Sequence, residues 1–236
     1  MKRALGLFLA VIVFSCASTA SAQEEISAGV DVGEGGFLSS LRFGVHVGLG
    51  MADTVGDMDR IMKNAVGEEA TPRFTMGVGL SAQYFLLPML ALDVGIGFLG
   101  KGFLVQPGSD EKYYTKLTYM EIPLGVLLEI EGFQAGLALA INIALAGKEV
   151  AKDGNTKVEN KWAGSDWDEY IRFNLAPKFM VGYAIPFDLA FGKLFLIPGL
   201  DFSVHLIDEY DGPSDKDYSF RSWNMMFRIG AALQLL

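Results

Sequence analysis

Cysteine and histidine are nearly missing from this sequence: its 236 residues hold one cysteine, Cys16, and two histidines, His46 and His205. One cysteine builds no intrachain disulfide, and two histidines without thiol partners do not define a zinc site. Basic residues are also scarce, 19 against 28 acidic, for a net charge of −9. That balance offers no cationic surface to a nucleic-acid backbone and excludes such a partner. Past residue 22 no apolar run reaches the roughly 18–20 residues of a membrane helix. The best stretches, 86–99 and 133–146, are interrupted by Asp93, Asn142 and several glycines. A phosphate-binding glycine loop followed by Lys-Ser/Thr is absent too, and no cofactor is expected.

What is present is apolar: 51% of residues, with 28 glycines that follow no triplet period. Disorder and collagen are thereby excluded. Residues 1–22 read as a cleaved signal peptide. Lys2 and Arg3 form a positive start, 4–14 an apolar stretch, and Ala20-Ser21-Ala22 a small-residue cleavage site. A lipoprotein signal ending at Cys16 is the competing reading, and Phe14 fits it poorly. Cys16 falls inside this segment, so the exported chain carries no thiol. Residues 23–38 then read as a periplasmic N-terminal segment, in which 26–33 alternate weakly, and 39–236 as one domain.

In that domain large apolar residues alternate with small or polar ones at period two, the mark of strands and not of amphipathic helices. Leu41, Phe43, Val45, Val47, Leu49 and Met51 stand against Arg42, Gly44, His46, Gly48 and Gly50. Seven further segments repeat the pattern, at 74–84, 90–99, 120–130, 133–145, 171–183, 194–206 and 222–235. Short links at 87–89, 131–132 and 186–190 alternate with long polar ones at 53–72, 105–112, 148–166 and 210–217. Short turns at one end and long loops at the other are the layout of an outer-membrane barrel. The expected fold is all-β: an eight-stranded antiparallel up-and-down transmembrane β-barrel in the bacterial outer membrane. The first long loop reads as carrying a helix. Thr54 to Asp57 resembles a capping box, Met58, Ile61, Met62, Ala65 and Val66 form a stripe, and Gly67 ends it.

A closed sheet in lipid needs an apolar outside and a small or polar inside, and the two parities supply them. Tyr84, Phe133 and Tyr183 fall near one rim and Phe98, Trp167 and Trp223 near the other, where aromatic girdles sit. The competing reading is a soluble lipocalin-like barrel with the large residues inward. It would place Lys, Glu and Thr on the second parity, which is instead mostly Gly and Ala. Pro123, Pro177 and Pro198 fall inside strands of a sheet without free edges, so β-bulges are expected there.

Tyr119-Met120-Glu121-Ile122-Pro123-Leu124 resembles the Tyr-Leu-Glu-Ile-Pro-Leu stretch of the PorT-like outer-membrane β-barrel domain family. The alternation Gly44-Val45-His46-Val47-Gly48-Leu49 is similar to that family's first strand. The resemblance implies an eight-stranded barrel related in architecture to small OmpA- and OmpX-like proteins, mostly without a reaction of their own. Glu129, where the family tends to a basic residue, and the non-aromatic terminal Leu236 depart from its pattern.

Eight charges take the inward parity: Arg42, Asp93, Glu121, Glu129, Arg172, Lys178, Asp201 and Arg228. Ions inside a narrow barrel need partners, and a lumen network of Glu121, Arg172, Lys178, Asp201 and Arg228 is expected, acting as a plug or as a gated ion path. Asp201, Ser203 and His205 share one strand face, which invites a hydrolase reading. Their Cα atoms are about 6.6 Å apart from one to the next by the strand rise, awkward for direct hydrogen bonds, so no enzyme activity is expected. The acidic residues Asp208, Asp211, Asp215 and Asp217 lack EF-hand spacing, and no metal site is expected. Trp162 and Asp166, in the 148–166 loop, are the candidate extracellular contact. The expected partners are outer-membrane lipid and an extracellular ligand held by the loops. Oligomeric state is open.

Overall fold

The structure, a computed structural model, describes residues 40–57, 63–64, 67–107, 111–162, 173–207 and 220–235. The expected signal peptide and the 26–33 segment lie outside them, as do Trp167, Arg172, Asp166, Asp208, Asp211, Asp215, Asp217 and the stripe at 58, 61, 62, 65 and 66.

Eleven strand segments follow one another: β1 (Leu41–Gly56), β2 (Thr71–Leu87), β3 (Leu90–Lys101), β4 (Phe103–Val105), β5 (Glu111–Ile130), β6 (Phe133–Asp153), β7 (Thr156–Trp162), β8 (Phe173–Tyr183), β9 (Ile185–Leu189), β10 (Gly192–Val204) and β11 (Phe220–Leu235). Eight of them, β1, β2, β3, β5, β6, β8, β10 and β11, pair antiparallel in a closed ring, because β11 returns to β1. The other three prolong it. β4 pairs β2 and β5 above β3, β7 pairs β6 above β8, and β9 pairs β10 below β8.

The stagger of the ring can be read from its register. Arg42 faces Gln83, and the pairs then run through Asp93, Gly125, Ala138, Lys178, Ser203 and Asn224 to Ala52. One circuit therefore climbs β1 from residue 42 to residue 52. Eight strands with that shear tilt by roughly 40° and leave a bore that side chains just fill.

Burial follows the two parities. Phe43, Val45, Val47 and Leu49 are each about half exposed, while Arg42 and Ala52 are buried. Outward Phe74, Met76, Val78 and Leu80 continue the apolar wall around β2. The bore itself takes more large apolar groups than the alternation shows, among them Leu117, Tyr119, Phe195 and Met226.

Three expectations are corrected. The prolines do not carry bulges: Pro123 faces Ala140, Pro177 faces Leu139 and Pro198 faces Ile229 in continuous register. β3 pairs β5 at Val94–Leu124 and again at Gly97–Glu121 without slip, so the missing N–H costs a local pairing and no insertion. The slips lie elsewhere, at Phe85/Leu87 and Thr118/Tyr119. Second, much of the expected 148–166 loop is strand. β6 runs to Asp153 and β7 starts at Thr156, joined by a two-residue turn with Gly154 at φ 54°. Glycine at the first central position, with Asn155 not left-handed, is the pattern of a type II′ hairpin turn. Third, Thr54 is no helix cap but a buried residue of β1. A helical turn does close at Gly67, whose N–H donates to the Lys63 carbonyl and whose φ is 84°.

Candidate functional site: the charged bore

Among the described residues, the inward faces of the ring bring the cations Arg42, Lys101, Lys178 and Arg228 together with the anions Asp93, Glu121, Glu129 and Asp201. They occupy three levels. Nearest the short turns, Arg42 reaches across to Glu129 with Nη1 2.6 Å from Oε2 and Nη2 3.2 Å from Oε1. Its guanidinium lies 3.8 Å from the centre of the Phe195 ring and 4.6 Å from that of Phe85. Gln134 donates to the same carboxylate at 2.6 Å. A planar, always-charged fork between two rings and a bidentate acid is an arrangement lysine does not reproduce.

At mid-height Lys178 donates to Glu121 Oε1 at 2.6 Å and lies 3.4 Å from Asp201 Oδ2. Arg228 Nε is 3.4 Å from Asp201 Oδ1. All three of Glu121, Lys178 and Asp201 are buried. Charges this far from water survive only in such company, since an isolated one would cost several kcal/mol or neutralise. Between these two levels a cavity of about 20 Å³ is lined by His46, Gln83, Gln134 and Arg228. That is room for roughly one water.

Nearer the long loops, Lys101 Nζ donates to His205 Nε2 at 2.5 Å, and both side chains are fully enclosed. Tyr119 packs edge-on against His205, ring centres 5.1 Å apart. Lys101 follows the inward parity of β3 through Asp93 and Leu99, but sits beside Gly102, where the alternation in sequence stops. Sequence reasoning missed it for that reason.

Asp201, Ser203 and His205 occupy successive inward positions and do not meet. Asp201 faces Lys178 and Arg228, Ser203 donates to Asn224 Oδ1 at 2.6 Å, and His205 accepts from Lys101. Each has a different partner, so no nucleophile–base pair is assembled. Of the expected contact residues, Trp162 ends β7 opposite Gly147 and is not in a loop. Among the described residues no group of three or more His, Cys, Asp or Glu side chains is arranged to hold a metal.

The profile of the outer membrane protein beta-barrel domain matches residues 21–211. Among solved structures the chain is similar to Ail, the attachment invasion locus protein of Yersinia pestis, in complex with the heparin analogue sucrose octasulfate: 11% identity over 82% of this chain and 99% of that chain, TM-score 0.43. It is similar also to Neisserial surface protein A, at 9% identity over 82% and 97% of the two chains, TM-score 0.40. The outer membrane protease OmpT of Escherichia coli gives 10% identity over 82% and 97%, TM-score 0.38. No curated protein sequence matches.

Proposed function

Because the chain belongs to the outer membrane protein β-barrel domain family, we propose that it is an outer-membrane anchor with a structural or interaction role, its lumen plugged and its long loops outside. The finer likeness to PorT-like barrels rests on the 119–124 stretch, and export on the signal peptide read in residues 1–22. The observation that carries the plug is the ion-paired bore. Glu129 holds Arg42 between two rings at one level, and Lys178 spans Glu121 and Asp201 at the next. An ion entering would have to displace partners that hold each other's charge, against the desolvation that makes those partners obligatory. The separate engagements of Asp201, Ser203 and His205 support a non-enzymatic reading.

The test is conductance in planar bilayers, with the heat-dependent gel shift of the same sample certifying a closed barrel. A plugged anchor gives no reproducible single-channel steps. Regular steps from the wild-type chain would replace the plug with a narrow channel.

A further inference from the structure

Above the bore, the upper parts of β5 and β6 and the whole of β7 form a three-stranded sheet. Its register places lysines in rows. Lys116 faces Lys148, which faces Lys161, and four residues along the strands Lys112 faces Lys152, which faces Lys157. Residues directly opposite share a sheet face, as do residues two apart, so all six lysines lie on one side. Between the rows on that side stand Tyr114, Val150 and Glu159. Glu159 reaches Lys148 at 3.4 Å and Lys157 at 2.5 Å, which ties the two rows to the same face. Lys112, Lys116, Lys152, Lys157 and Lys161 are exposed and Lys148 is half-buried. The opposite face carries Glu111, Glu149 and Asp153 and no lysine.

Six lysines thus share one face with a single acid, Glu159, and like charges are stacked directly across strands, which costs stability. Protecting an open sheet edge explains lysines on an edge strand. It does not explain Lys148 and Lys152, which lie on the central strand β6 and are paired on both sides. An arrangement that costs the free protein stability is accounted for when an anion lies across it.

The position of the face selects the anion. On β5 the lysines share the parity of Met120, Ile122 and Leu124, the outward wall. Lys116 comes four residues beyond Met120, so the first row stands just past the apolar belt and the second about 13 Å further along the strand. We propose that this lysine face binds the phosphorylated headgroups of outer-leaflet glycolipid, the first row at the membrane surface and the second in the headgroup layer. The inference rests on the outer-membrane reading above, with the long loops outward.

The test uses the full chain refolded in zwitterionic detergent micelles doped with bisphosphorylated lipid A, reading lipid phosphate that co-elutes with the barrel. Wild type retains lipid A, less so as salt rises. A K116Q/K148Q/K161Q variant retains at least tenfold less, and a variant with arginine at those three positions retains it as wild type does. Lipid A stripped of its phosphates is not retained. Equal retention by the glutamine variant overturns the proposal. So does capture of soluble dextran sulfate by a wild type that ignores lipid A, which would make the anion a free polyanion. The heat-dependent gel shift is run on each sample. A variant that has lost it is replaced by the K112Q/K152Q/K157Q triple, and its absence in wild type would count against the barrel reading and not against the site.

Discussion

Lys178 Nζ lies 2.6 Å from Glu121 Oε1 in the middle of the bore, and both side chains are almost wholly shut off from solvent. The two come from strands β8 and β5, on either side of β6, and the contact closes the barrel's waist. Glu121 belongs to the same 119–124 stretch whose Pro123 also points inward.

Removing the charge of Glu121 leaves buried Lys178 only its longer 3.4 Å contact with Asp201, a carboxylate that Arg228 shares. Glu121→Gln is expected to lower stability by about 3–5 kcal/mol, read as a drop in the urea midpoint of the membrane-inserted barrel. The double variant Glu121→Gln/Lys178→Met should recover part of that loss. An unchanged midpoint in the single variant would mean that the network carries no stability.

Arg42→Lys keeps the charge and loses the fork and the flat stacking surface. It should destabilise the barrel nearly as much as Arg42→Ala, on the order of 2–3 kcal/mol. If the Arg42 level is also the plug, Arg42→Ala combined with Glu129→Ala should show conductance steps that wild type lacks. Full rescue by lysine would argue that charge alone matters there.

The turn between β5 and β6 places Glu131 at φ 50° and Gly132 at φ 84°. Two left-handed residues make the tight hairpin turn for which Asn-Gly is the favoured pair. Glu131→Asn should therefore stabilise, by about 0.5–1 kcal/mol, seen as slower unfolding in denaturant. A loss would show that Glu131 has a role besides the turn.

Gly102 separates β3 from β4 at φ 137°, and a side chain there would collide with the carbonyl oxygen of Thr115. Gly102→Ala is predicted to cost about 1–3 kcal/mol from backbone conformation alone. Lys101 and Phe103 would be displaced with it. The shift in unfolding midpoint measures this directly.

The wall of the barrel was legible in the sequence, and some of its contents were not. Val45, His46 and Val47 declare their faces by alternation, and so do Leu200, Asp201 and Phe202. A strand that is half in lipid has no other way to be built. Register is a different matter. That Lys116 faces Lys148 depends on the slip at Thr118/Tyr119, and that Lys148 faces Lys161 depends on the turn at Gly154; alternation reveals neither. The polar run from Lys148 reads as a loop because both of its faces are wet, so no apolar parity marks it as strand. Phe195 and Met226 escaped for the opposite reason. They are large apolar residues among large apolar residues, and only ring closure shows which of them turn inward.

The longest-range pairing in the molecule has a consequence for how it is made. β1 and β11 zip together over Arg42–Gly56 and Phe220–Gln234, so the first strand finds one of its two neighbours only after nearly all the chain has been synthesised. Contacts this distant in sequence are slow to form and give little help to early folding. A nascent chain lacking β11 would offer two raw sheet edges, at β1 and β10, which lipid cannot satisfy and other chains can. Entry into the bilayer is therefore a late event that follows synthesis, and until then the chain depends on being kept from its own kind.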